Sequence, residues 1–260
     1  MTILDELADY ARVRTEKAKK QVSQEEMEER AGALPKGEPV FEKALRKEGL
    51  SFICEVKKAS PSKGLIAPDF PYLSIAKEYE AAGADAISVL TEPRWFLGSN
   101  DYLKEIAEAV KTPCLRKDFT VDPYMIYEAK TLGASAVLLI CAILSPAELE
   151  QYLSLAEDLG LSAVVETHDE KEITMALSAG ARIIGVNNRN LKDFSVDTGN
   201  SKRLRQLVPQ DVLFISESGV KGKEEIERFR EIGVDAVLVG ETLMRSGDKK
   251  ALLTEWRKQG

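Results

Sequence analysis

One unit recurs along the middle and end of the chain: a helical stretch, a glycine, then a short apolar run rich in Val, Ile and Ala. The copies read GADAISVL from Gly83, GASAVLLI from Gly133, GLSAVVE from Gly160, GARIIGVN from Gly180 and GVDAVLVG from Gly233. A glycine in this place suits the left-handed backbone that ends many helices, and the unbroken apolar run after it reads as a strand buried on both faces. Three further runs, SFICEVK from Ser51, PCLRK from Pro113 and DVLFISE from Asp211, read as strands without that glycine, which brings the total to eight. Helical segments over 72–82, 101–110, 123–132, 146–159, 170–179 and 223–232 lie between them, several opening on the Ser, Asp or Pro that helix N-termini prefer. Strict alternation of strand and helix predicts a parallel sheet, and eight units predict its closure into a (β/α)8 barrel of the α/β class.

The 260 residues suffice for one such barrel, so a single domain over 1–260 is expected. Its first 45 residues depart from the pattern. They are charged, and Ile3, Leu4, Leu7, Ala8 and Ala11 recur with helical spacing, which predicts an N-terminal helical extension over 1–45 ahead of a barrel over 50–260. The extra helix either caps the barrel or reaches over a ligand, and capping is the plainer expectation. The GALPKGEPV stretch is expected to turn between the extension and the next helix.

Composition narrows the chemistry. Thirty-six basic against 43 acidic residues leave a net charge of -7, which argues against nucleic acid or an anionic membrane as the partner and makes any anion site local. The N-terminus lacks the apolar core of a secretion signal, and no apolar run approaches the roughly 18 residues of a membrane span, so a cytoplasmic protein is expected. Cys54, Cys114 and Cys141 are odd in number and sit in apolar runs, as buried reduced thiols do. His168 is the only histidine, which disfavours a zinc site or a His-dependent triad. Lysine and carboxylate chemistry remains.

In such a barrel the site lies at the C-terminal ends of the strands, so the polar residues that close the apolar runs are the candidates. Strand one ends in Glu55 and Lys57, strand three in Lys117, strand five in Glu166, strand six in Asn187 and Arg189, and strand seven in Glu217 and Ser218. Side chains alternate along a strand, so Glu55 shares a face with Lys57, Lys117 with Phe119 and Asn187 with Arg189. Solvated strand ends account for any one of these; five strands out of eight point to a mouth in which two lysines and three glutamates perturb one another. Neighbouring lysine and apolar walls are expected to lower a lysine pKa there. Gly219 and Gly240, after strands seven and eight, let backbone N–H groups approach an anion, and a short helix after strand eight adds its positive end. The KKASPSKG loop from Lys57 adds Ser60, Ser62 and Lys63 as donors. For an apolar wall, the candidates are Phe119, Trp95, Phe96 and Leu138.

Together these stretches resemble the indole-3-glycerol phosphate synthase family over nearly the whole chain. The carriers are FICEVKKASPSKG from Phe52, SVLTEPRWFLGS from Ser88, LRKDFTVDPYMIYEA from Leu115, VVETHDEKE from Val164, GVNNRNLKDFSVD from Gly185, ISESGV from Ile215 and VGETLMR from Val239, in family order. Cys54 departs from an alanine common in the family, on a face that parity turns toward the helices. The resemblance implies ring closure of 1-(2-carboxyphenylamino)-1-deoxyribulose 5-phosphate, with loss of carbon dioxide and water, and neither cofactor nor metal. By similarity Lys117 would be the general acid, Lys57 would hold the substrate carboxylate and share acid duty, and Glu166 would be the base. Glu55 would hold the lysines in register, Asn187 would orient hydroxyls and Glu217 would support the polar network, with Arg189 and Ser218 in the same constellation. Ser60, Gly219, Gly240 and Glu241 would hold the phosphate. The implied partner is a phosphorylated small molecule bound by a monomer or weak homodimer. The alternatives are another phosphosugar barrel such as phosphoribosylanthranilate isomerase, and a catalytically silent barrel that binds a phosphorylated metabolite.

Overall fold

Eight apolar runs become eight parallel strands: β1 (Ser51–Val56), β2 (Ala86–Leu90), β3 (Cys114–Lys117), β4 (Ala136–Ile140), β5 (Ser162–Thr167), β6 (Ile183–Asn187), β7 (Leu213–Glu217) and β8 (Ala236–Val239). A computed structural model describes residues 2–258. The sheet closes when β1 pairs with β8 in the register Ser51↔Ala236 to Cys54↔Val239, so the chain forms a (β/α)8 barrel. Between strands run α4 (Tyr72–Ala81), α5 (Asn100–Ala109), α6 (Pro123–Thr131), α7 (Pro146–Asp158), α8 (Glu170–Ser178) and α10 (Lys223–Glu231), within a residue or so of their predicted limits. Their starts are local chemistry: Ser145 caps α7 in a reciprocal box with Glu148, and the carboxylates of Asp122 and Asp169 accept N–H groups of α6 and α8. Gly83, Gly133, Gly160, Gly180 and Gly233 all take positive φ, as the repeated unit required.

Alternation divides every strand between two cores. Outward residues such as Cys54, Val89, Leu139 and Phe214 pack beneath the helices, while Ile53, Leu115, Leu138, Val164, Ile215 and Leu238 fill the barrel interior. Cys54 therefore faces the helices, as its parity indicated. All three cysteines are free and buried, and burial pushes the thiols of Cys114 and Cys141 up to about 12.

The N-terminal extension serves both ends of the barrel. Helix α1 (Ile3–Lys19) buries Leu4, Leu7, Ala8 and Ala11 and lies at the mouth, where Arg14 and Lys19 each reach within 2.6 Å of Asp118 and Asp122 just after β3. Helix α2 (Gln24–Gly32) packs against α6. Helix α3 (Val40–Leu45) plugs the opposite end with Phe41 and Leu45, both essentially inaccessible and in one cluster with Ile53, Ala86 and Leu213. Each such side chain contributes roughly 1.5–3 kcal/mol of burial. The helix expected from Ile3 to Ala11 therefore lies at the mouth and not, as the plainer expectation had it, as a cap; the plug at the opposite end is the separate helix α3.

Three helices were not anticipated or were seen only in outline. Helix α9 (Gly199–Arg205) buries only Leu204 among apolar residues, too little for a periodic signal, and α12 (Lys249–Arg257) presents Leu253 and Trp256 on one face of a charged segment. Helix α11 (Glu241–Arg245) is the short helix expected after β8. The loop after β1 folds back as a small hairpin, Ala59–Ser60 against Gly64–Leu65. Among the described residues no helix is long and apolar enough to cross a membrane.

Candidate active site

Directly above the interior apolar residues, the same inward faces turn charged. Lys117 at the end of β3 extends across the mouth, and its Nζ donates to Oε2 of Glu166 on β5 and to Oε2 of Glu217 on β7, both at 2.9 Å. Gly185 on β6 makes room for this: a Cβ there would lie 2.3 Å from Oε1 of Glu217. That oxygen is buried and accepts no hydrogen bond. At the end of β1, the Nζ of Lys57, one residue past the strand, stands 2.5 Å from Oε2 of Glu55, an electrostatic contact off the line of a hydrogen bond. Gly240 gives this pair its space, since a Cβ would meet Glu55 Oε2 at 2.3 Å and Lys57 Nζ at 2.7 Å.

The electrostatics of the cluster follow from three carboxylates and two ammoniums in a buried setting. Burial pulls the Lys117 pKa down, but Glu166, Glu217 and Glu55 outweigh it and hold the ammonium charged well above the usual lysine range. The expectation of a lowered lysine pKa is therefore corrected: parity placed acidic, not basic, neighbours around Nζ. The two carboxylates that share Lys117 part company. Burial pushes Glu217 up to about 7, with the Glu166 charge adding to it. Burial also works against Glu166, yet its carboxyl lies below the usual range. The difference is one of donors: Asn187 Nδ2 reaches Glu166 Oε1 at 3.3 Å and His168 Nε2 approaches it at 3.5 Å, while Glu217 has only Lys117.

The β6 and β7 ends form the next sector. Asn187 Oδ1 accepts from Ser218 Oγ and from the Arg189 N–H, each at 3.0 Å. Ser218 (φ 65) and Gly219 (φ 103) both take left-handed backbone, so the chain turns sharply out of β7, and a Cβ on residue 219 would strike Thr198 Cγ2 at 2.6 Å. Lys63, in the hairpin loop after β1, comes to 3.6 Å from Glu241 at the start of α11. Ser60, buried in the same hairpin, has its Oγ 3.5 Å from that of Ser62. Hydroxyl, ammonium and glycine backbone thus gather around the ends of β1, β7 and β8, with the Glu241 carboxylate beside Lys63.

Two expected residues turn elsewhere. Arg189 sends its guanidinium to the carbonyl of Phe194 at 3.0 Å and ties down its own loop rather than the cluster. Trp95 packs edge-on against Tyr10 of α1, ring centroids 5.5 Å apart, beneath the Arg94 guanidinium. Phe96 and Phe119 pack with ring centroids 6.0 Å apart, Phe119 half-buried, and Leu138 lies in the interior core below.

Three residues that the sequence reading left aside support the site. Asn188 is buried beneath it, donating to Ser216 Oγ and to the carbonyls of Glu217 and Ser218, and so holds the turn out of β7. Asp118 accepts from Arg14, from Thr91 and from the Phe119 N–H, which clamps the chain immediately after Lys117. His168 lies two residues beyond Glu166, on the same face, and the alternation rule that paired Glu55 with Lys57 points to it equally.

Comparison with known proteins adds an independent finding. The family described as indole-3-glycerol phosphate synthase matches residues 4–255. A protein of that name from Ruminiclostridium cellulolyticum is 57% identical over 256 residues, covering 98% of each chain. One from Lacticaseibacillus paracasei is 51% identical over 258 residues, covering 99% of each. Among solved structures, 3-hexulose-6-phosphate synthase from Salmonella typhimurium aligns with a TM-score of 0.62 at 14% identity, over 80% of this chain and 96% of that one. Thiamine phosphate pyrophosphorylase from Pyrococcus furiosus aligns with a TM-score of 0.60 at 16% identity, over 80% and 93%. The last two likenesses concern the fold alone.

Proposed function

The chain belongs to the indole-3-glycerol phosphate synthase family, and from that premise we propose that the strand-end cluster closes the indole ring of 1-(2-carboxyphenylamino)-1-deoxyribulose 5-phosphate. The product is indole-3-glycerol phosphate, for tryptophan biosynthesis, and the loss of carbon dioxide makes the enzyme a carboxy-lyase. The observation that carries the assignment of roles is the ammonium of Lys117 held between Glu166 and Glu217.

Ring closure needs an electrophilic carbonyl. Lys117, kept charged by its carboxylate neighbours, donates to the substrate carbonyl oxygen as the aromatic carbon attacks, and the oxygen leaves that step as a hydroxyl. Loss of carbon dioxide restores the aromatic ring. Dehydration follows: Lys57 or Lys117 protonates the departing hydroxyl, which leaves as water, while Glu166 takes the proton from the adjacent atom. Acid and base are coupled through distance. Glu166 is weakly basic while it shares Lys117, and it becomes a stronger base when substrate draws the ammonium away. Once Glu166 is protonated, the hold on the Lys117 proton weakens in turn.

Glu55 keeps Lys57 placed for the substrate carboxylate, and Asn187 orients hydroxyls with Ser218 beside it. Phe96 and Phe119 receive the aromatic ring. Ser60, Gly219, Gly240 and Glu241 receive the phosphate, with Lys63 as a nearby cation. Arg189 keeps its loop folded at the rim. On this reading the partner is a phosphorylated small molecule, with no nucleic acid and no membrane, and the protein works in the cytoplasm as a monomer or weak homodimer.

The test is direct. Incubation with the carboxyphenylamino-deoxyribulose phosphate should produce indole fluorescence that depends on the protein. A protein that leaves this substrate untouched and isomerises phosphoribosylanthranilate instead would overturn the assignment; the relatives at 51–57% identity do not favour that outcome.

A further inference from the structure

His168 is the one histidine in the chain, and the ring closure described above makes no use of it. Its geometry is specific. Nδ1 lies 3.1 Å from Oε2 of Glu172, in the first turn of α8, and the same oxygen accepts the His168 N–H at 2.8 Å. This pair of contacts sets Nδ1 as a donor and fixes the plane of the ring. Nε2 then lies 3.5 Å from Oε1 of Glu166, outside hydrogen-bond geometry, and is fully buried without a hydrogen-bond partner. A neutral imidazole that donates from Nδ1 would aim a lone pair from Nε2 at a carboxylate, which is repulsive. An imidazolium aims an N–H at it instead. The arrangement is made for the charged form.

We propose that His168 is a positioning residue for Glu166: as imidazolium, clamped by Glu172, it directs Nε2–H at Oε1 and keeps the base ionised and oriented while Lys117 occupies Oε2. The proposal rests on Glu166 being the base. Every charged group packed around the ring bears on it. Glu166 on β5, Glu172 on α8 and Glu217 on β7 favour the imidazolium, and together they raise its pKa against the opposing effect of burial. Lys117 on β3 opposes them from the far side of Glu166. From α9, Asn200 donates to the His168 carbonyl and in turn accepts from Arg203, which stands one residue layer away. The side chain of Glu166 is 4% exposed against 21% for His168, so the imidazole is the more accessible of the two.

A lone histidine makes the test clean, because its imidazole signals in a two-dimensional 15N–1H spectrum of the untagged protein need no assignment. The expected titration lies above 6.5, with Nδ1 protonated throughout, and in Glu166→Gln it falls measurably because the facing charge is gone. Turnover of His168→Gln, which keeps a donor but no charge, should show its acid limb displaced upward by about one pH unit, close to a tenfold loss at pH values below the limb. KM should change less than twofold. Glu172→Gln should displace the limb in the same direction by less. A histidine that titrates identically in wild type and Glu166→Gln, or an acid limb unmoved in His168→Gln, overturns the proposal even if Glu166→Gln is inactive. A coupled histidine together with full turnover in Glu166→Gln overturns instead the reading of Glu166 as base, and with it the catalytic meaning of the pair.

Discussion

Lys117 and Glu217 stand on opposite walls of the barrel, β3 and β7, four strands apart in either direction, yet their side chains meet at 2.9 Å. Such a contact spans the whole mouth. It requires a long lysine, a residue without a side chain at Gly185, and a carboxylate that approaches from the far wall. The cluster is therefore a property of the closed barrel and not of any one βα unit.

Lys117→Ala removes the centre of this contact. Turnover should fall by roughly 10²–10⁴-fold, the range for a lost general acid, while a non-reacting substrate analogue still binds. Steady-state kinetics and calorimetric titration separate the two effects. Turnover within a few-fold of the parent would remove Lys117 from its role.

Glu166→Gln keeps the shape of the side chain and its contact with Asn187 but cannot accept a proton. The expected result is a fall in turnover of about 10²-fold or more, with a much smaller change in analogue affinity. Equal losses in both would assign Glu166 to binding instead.

Glu217→Gln should gain on its parent in stability as pH rises. The parent carboxyl is pushed up from 4.5 to about 7 in the folded protein, so the folded state holds its proton more tightly than the unfolded chain does. That contribution is complete below pH 4.5 and disappears as pH climbs through 7, while the amide has nothing to lose. Urea midpoints at pH 5 and pH 8 measure the difference between the two proteins. A difference that moves the other way would show that Glu217 is ionised in the folded state throughout.

Arg14→Ala tests the link from α1 to the strand that carries Lys117. Asp118 is inaccessible and Arg14 only 18% exposed, so the substitution takes the closest cation from a buried carboxylate that keeps Thr91 and the Phe119 N–H, and it should cost about 3 kcal/mol, the low end for a broken buried pair. Arg12→Ala breaks an ion pair whose partners are more than half exposed, and it should be neutral within about 0.5 kcal/mol. Denaturation of both variants at one pH gives the comparison, and equal effects would dissociate the buried pair from stability.

The barrel was legible because its repeated glycine and apolar run are consequences of local geometry, visible one unit at a time. Strand-end residues were legible for the same reason, since alternation alone sets Glu55 beside Lys57 and turns Cys54 away. The charge state of Lys117 was not, because its partners Glu166 and Glu217 lie 49 and 100 residues further on and come together only through closure. The double use of the extension was hidden likewise. Phe41 and Leu45 occupy a segment too short to declare which end of the barrel it will plug. His168 is visible by parity, but its role is not, because a lone histidine in a sequence suggests a metal ligand or triad member before a neighbour of the carboxylate two residues back.

The seam between β1 and β8 also has a consequence in time. Ser51 pairs with Ala236, so a chain synthesised from its N-terminus cannot complete its sheet until Ala236–Val239 has emerged, and loop closure over such a distance is slow. Glu55 and Lys57 lie on one side of that seam and Gly240 on the other. An emerging chain with six or seven strands in place thus has its hydrophobic edges exposed and no finished mouth, and competence for chemistry arrives all at once, with the final strand.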